Sequence, residues 1–284
     1  MQAVCIIAHK DIAQVMHLAD VLLPRFAVYI HFDTKAVLND EYIKNLEQKG
    51  IFWFQEINVM WGGWSIAAAA QVLMRAVLKN PDINYVHIIS GQCWPVKDID
   101  EIYSFYKDNS DIYMTFTEAS KDVKSGECLI DWVKYYYPYD RISRRSLYGK
   151  IFHRINIVVQ KILRIDKLKK YDFNLTIYEG AVWMDLPTEA VNYVINYFDE
   201  HKNLQKVFLS GFCPDEFWCQ TILCNSPWRE KIVNENHRYV KWQKRYNSYP
   251  AILDETDYQE ITEGNFHFMR KIDEKISKGL LEMI

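Results

Sequence analysis

The sequence lacks a CxxC pair, an HExxH segment, a GxGxxG fingerprint and a GxxxxGK[ST] loop. Those absences remove the usual zinc, dithiol, dinucleotide and P-loop chemistries from first consideration. No run approaches the ~18 uninterrupted apolar residues of a membrane span. The N-terminal MQAVCIIAHK has no basic region or cleavage site around its short apolar run, so it does not read as a signal peptide. A soluble or peripheral protein of a reducing compartment is expected, cytoplasmic or on the inner face of the membrane. The cysteines (Cys5, Cys93, Cys128, Cys213, Cys219, Cys224) are expected to be reduced and mostly buried. A formal charge of -3 denies the chain an overall attraction to polyanions, and nucleic acid is not an expected partner. Without a Gly- or Ser-rich linker or an internal repeat, residues 1–284 read as one domain.

What is present is alternation. Ala3–Ala8 reads as a buried strand, Ile12–Leu23 as a helix, and Phe26–Phe32 as a strand ending at Asp33. Ile51–Phe54 is a third strand, Ser65–Leu78 a helix packed through Ala67–Ala70, and Tyr85–Ile89 a fourth strand. Strands separated by helices imply right-handed parallel βαβ units with ligands at the carboxyl ends of the strands. Farther on, an apolar run at Ala181–Met184, helices at Thr188–Phe198 and after Pro214, and a strand at Arg238–Trp242 are expected. Between them, Arg141–Lys170 is rich in Lys and Arg against the single acid Asp166, with Leu147, Ile151, Ile155, Val158, Ile162 and Ile165 at helical spacing. This basic helical insertion either packs on the core or rests on an anionic membrane.

Several clusters have the residue types for chemistry. Asp33 after the second strand either accepts the N3–H of a uracil or caps a turn. Asp98 and Asp100 form a DxD, but their place before Glu101 and Ile102 suits a helix N-terminus better than a metal. Trp61-Gly62-Gly63-Trp64-Ser65 is a tight turn opening a helix, built for a ligand or for packing. Asp215 and Glu216 start another helix, where simple capping accounts for both or one acid serves as a general base, with Asp215 then expected to be the cap. Arg270 and Lys271 are adjacent cations able to hold phosphates. Aromatic residues form 15% of the chain and, beyond filling the core, offer surfaces for stacking sugars.

In this order, IIAHK, YIHFDTK, WGGWSIAAAAQVL, HIISGQCWPVK, CPDEFWCQTIL, RYVKWQ and FMRKI span nearly the whole chain. The set resembles the core-2/I-branching β-1,6-N-acetylglucosaminyltransferases and peptide O-xylosyltransferases. The resemblance implies an α/β, GT-A-like fold with a mostly parallel central sheet flanked by helices. It also implies inverting transfer of GlcNAc or xylose from a UDP-sugar to a hydroxyl of a glycan or lipid-linked glycan, with no cofactor and no divalent metal. Glu216 takes the place of the family's base, Arg270 and Lys271 that of its diphosphate-binding cations, and Asp33 with Ile6 nearby that of its uracil site. Trp242 matches an acceptor-contacting aromatic, and Glu118 is a further acceptor contact. Cys93 stands where the family often has an acid, and Arg245 is the only neighbour available as a second phosphate-binding arginine. A carbohydrate-binding protein that lost turnover and a peripheral membrane scaffold are the alternatives.

Overall fold

The computed structural model describes residues 1–284. Strands β1 (Gln2–Ala8), β2 (Phe26–Phe32), β3 (Phe52–Phe54) and β4 (Tyr85–Ser90) run parallel, linked by helices α1 (Ile12–Leu22), α2 (Asp40–Gln48) and α3 (Ser65–Val77). Every residue of β1 is buried, the pattern of a central strand covered on both faces. Its side chains alternate between two cores: Ala3, Cys5 and Ile7 meet α3 on one face, and Val4, Ile6 and Ala8 meet α1 on the other. Ala67 and Ala69, fully buried, let α3 lie close to the sheet. The α2 helix was not anticipated; its polar sequence, capped by Asn39, buries only Leu46.

Beyond β4 follow β5 (Cys93–Pro95), α4 (Ile99–Tyr106), β6 (Ile112–Tyr113) and the short β7 (Thr117–Glu118), β8 (Val123–Lys124) and β9 (Glu127–Cys128). After α5 (Leu129–Lys134) and α6 (Leu147–Ile162) come β10 (Tyr178–Glu179), β11 (Asp185–Pro187), β12 (Ile232–Val233), β13 (Arg238–Val240) and β14 (Phe268–Arg270). The main sheet has seven strands in the order β12-β6-β11-β4-β1-β2-β3, and β11 is antiparallel to both neighbours. The apolar run at Ala181–Met184 leads directly into β11. Asp185 is wholly buried in β11, held by Arg238 through two bonds of 2.6 Å and by His87 at 2.8 Å. Burial opposes its charge, but Arg238 and His87 outweigh burial and keep its pKa below the usual carboxylate range.

A small sheet, β13-β14-β5, sets Arg270 opposite Cys93 beside the carboxyl end of β4. The long helix expected over Arg141–Lys170 is shorter: α6, then a turn through Arg164 and a single helical turn at Lys167–Lys170. No helix is long and apolar enough to cross a membrane. All six cysteines are free; five are buried and Cys128 is exposed at the start of α5.

Candidate active site

Glu216 ends a single 3-10 turn, Pro214–Glu216, whose position is fixed by backbone bonds to two distant segments. Cys213 N–H donates to Gly62 O at 2.9 Å, and Gly180 N–H donates to Glu216 O at 2.8 Å. The WGGW turn thus supports the acidic turn. Gly62 has φ +85°, and a Cβ there would stand 2.8 Å from the Phe212 ring. At Gly63 a Cβ would stand 2.2 Å from Asp140 Oδ1. That carboxylate accepts from Trp64 N at 2.9 Å and Ser65 N at 3.0 Å, so what approaches this backbone is a helix-capping aspartate from the chain itself.

The Glu216 carboxylate is half-buried and faces Lys124, with Nζ 2.9 Å from Oε2; the same Nζ lies 2.8 Å from Glu179 Oε1. Burial raises the Glu216 pKa, Lys124 pulls it back, and Glu179 raises it again, leaving it above the ordinary glutamate value. Burial works against the charge of Lys124, but the two acids outweigh it and its pKa rises. An acid, a cation and a second acid therefore form one ion-paired triad. Asp215 was expected to cap the turn, but no side-chain cap is present and its Oδ1 is buried without a partner. Burial, then Glu216, pushes its pKa well up.

Arg270 lies near enough to Glu216 for the carboxylate to favour its charge, although burial acts more strongly in the opposite sense. Its guanidinium stacks 4.4 Å from the centre of the Trp183 ring, and its Nε is buried with no acceptor. A buried N–H without a partner is costly, and it leaves a donor free to meet an acceptor. Next to it, Lys271 donates to Ser248 Oγ and Tyr249 O, both at 3.2 Å. Burial first, then repulsion from Arg270, Arg145 and Lys10, pushes its pKa down to about 8. Arg145, whose guanidinium lies 4.9 Å from the Trp61 ring centre, is thus brought to the same cationic cluster by the segment that Asp140 anchors.

The remaining predicted positions divide. Asp33 is buried at the end of β2, its carboxylate accepting from Lys35 N at 3.0 Å and pairing with Lys35 Nζ at 3.0 Å. Ile6 has no exposed surface; it is a residue of the core on the α1 side of the sheet. Trp242 is 61% exposed just past β13, its ring tilted against Tyr249 at 5.9 Å, on the loop that Lys271 ties down. Glu118 does not join Glu179 beside Lys124 and Glu216. In the β7–β10 pair Tyr178 faces Glu118 and Glu179 faces Thr117, so Glu118 projects from the opposite side to Glu179. It pairs with Lys121 at 2.5 Å instead. Arg245 is taken up by Asp257 and Asp254 in a structural network. Asp98 caps α4, its Oδ1 accepting from Asp100 N at 2.8 Å, and Asp100 pairs with Arg25, so both DxD carboxylates have local structural partners. Glu179, Lys124, Trp183 and Arg145 were missed; each comes from a two-residue strand or an irregular segment with no periodicity to read.

Residues 23–270 match the family model for the Core-2/I-Branching enzyme, and the chain belongs to that glycosyltransferase family. Over 97 residues it is 28% identical to the beta-glucuronosyltransferase GlcAT14A of Arabidopsis thaliana, a match covering 34% of this chain and 22% of that protein. The chain thus matches only about a fifth of that relative's length. Among solved structures, core-mannan synthase A from Aspergillus fumigatus is similar at TM-score 0.41 and 10% identity, covering 82% of this chain and 72% of that one. TarS of S. aureus is similar at TM-score 0.37 and 11% identity, covering 81% and 57%.

Proposed function

We propose that this chain is an inverting glycosyltransferase that moves a sugar from a UDP-sugar to a glycan hydroxyl, with Glu216 as general base and without a divalent cation. The observation that carries the reading is the half-buried Glu216 carboxylate held by Lys124, with the half-buried Arg270, whose Nε lacks an acceptor, near enough for the two charges to interact. An ionised Glu216 takes the proton of the acceptor hydroxyl as that oxygen bonds to the anomeric carbon, while the bond from that carbon to the diphosphate oxygen breaks on the opposite face. The negative charge gathering on UDP meets Arg270 and Lys271, with Arg145 and Lys10 adding to the local positive potential. Lys124 keeps Glu216 ionisable despite its burial. In this reading Asp33 accepts from the uracil, and Trp242 with Tyr249 offers an exposed aromatic face to the acceptor.

GlcNAc and xylose are the donor sugars the family suggests, and the name of the Arabidopsis relative adds glucuronic acid. Melting curves with UDP, ADP, GDP and a panel of UDP-sugars, each with and without chelator, test base, sugar and metal together. UDP is expected to raise the melting temperature in chelator, and ADP and GDP much less. A shift that needs added manganese removes the metal-free reading. UDP binding with no release of UDP from any donor and acceptor favours a binding protein without turnover.

A further inference from the structure

Helix α6 is packed on its polar side. Gly149, His153 and Gln160 are its buried residues. His153 bonds Tyr139 Oη at 2.5 Å and Glu127 Oε1 at 2.8 Å. Gln160 accepts from Tyr136 N at 2.8 Å and donates to Tyr136 O at 2.9 Å, and Asn156 donates to the same carbonyl at 2.9 Å. These bonds fix which way the helix is turned. At roughly 100° per residue, Leu147, Ile151, Ile155, Val158 and Ile162 then fall within about 80° of arc on the opposite side. They are 76%, 52%, 58%, 55% and 73% exposed. A surface helix normally buries such a stripe, so its outward presentation calls for a nonaqueous surface.

Charge identifies the occupant. Lys150, Arg154 and Lys161 lie along one edge of the stripe, within about 40° of arc. Lys161 pairs with Asp131 at 3.2 Å, while Lys150 and Arg154 make no ion pair. No acid occurs between Arg141 and Ile165. Two copies meeting on this stripe would bring their cations together with no counter-charge on the helix, whereas anionic headgroups supply it. We propose that α6 is an interfacial helix that seats the protein on an anionic phospholipid bilayer, its aliphatic stripe at the headgroup–acyl boundary and Lys150 and Arg154 on lipid phosphates.

The test is co-sedimentation of the purified full chain with vesicles, without donor or acceptor, so its outcome is independent of the transfer reaction. Vesicles of phosphatidylglycerol with phosphatidylcholine are expected to carry the protein down at low salt, phosphatidylcholine alone much less, with release as salt rises. The double variant Ile151→Glu/Ile155→Glu is expected to lower partitioning at least about tenfold with an unchanged melting temperature, because both side chains already face solvent. Lys150→Gln/Arg154→Gln is expected to weaken binding to the anionic vesicles and flatten its salt dependence. Wild-type protein left in the supernatant at low salt, or the Glu variant sedimenting like wild type, overturns the proposal. So does a dimer at sedimentation equilibrium that the Glu variant dissociates, with no vesicle binding, since it would assign the stripe to a second copy.

Discussion

Lys124 Nζ stands 2.9 Å from Glu216 Oε2 and, through its second contact with Glu179, makes Glu216 one member of a charge triad. The two neighbours act on Glu216 with opposite sign: Lys124 favours the ionised form and Glu179 the protonated one.

If Glu216 must be ionised to work, activity falls as pH drops through its raised pKa. Lys124→Met removes the stabilising cation and should move the acid limb of the kcat/KM profile to higher pH. Glu179→Gln removes the opposing carboxylate and should move it to lower pH. The pair of pH–rate profiles checks this, and shifts in the same direction would separate Glu216 from the observed ionisation.

Lys271, with its pKa pushed down to about 8, should lose its charge as pH rises through that region. UDP affinity measured by calorimetry is then expected to weaken between about pH 7 and 9. Lys271→Arg, charged throughout, should flatten the dependence, and Lys271→Ala should weaken binding by an amount consistent with about 1.5–3 kcal/mol for a charge-assisted bond. An affinity indifferent to both changes removes Lys271 from the phosphate site.

Gly63→Ala tests the support under the site. The added Cβ would meet Asp140 2.2 Å away and displace the carboxylate that caps α3. A loss of about 1–3 kcal/mol is expected in urea unfolding. Gly50→Ala is the contrast: nothing lies within 4 Å of its Cβ, and its φ of +67° is the only penalty. Equal losses in the two variants would contradict the packing argument.

How much could be read from the sequence follows from how each element is made. β1, β2 and β4 announce themselves as apolar runs between helices because both their faces are covered. β11 does not, since its Asp and Pro hide a strand that the distant Arg238 and His87 make tenable. The stripe on α6 was visible as a period, but a period does not say which face turns inward; hydrogen bonds from His153, Asn156 and Gln160 decide that. Among the candidate site residues, motif order singles out Glu216, Asp33, Arg270 and Lys271. Glu179 and Glu118 are acids on the same small ladder, and only the register tells which one joins Lys124 and Glu216.

The most direct test of Glu216 as the base compares Glu216→Gln with wild type for UDP affinity and for turnover on the UDP-sugar and acceptor that support transfer. Glutamine keeps the size of the side chain and its hydrogen bonding but cannot take the proton. Turnover is predicted to fall by about 10²–10⁴-fold with UDP affinity nearly unchanged. A near-normal rate at saturating donor and acceptor would contradict the assignment.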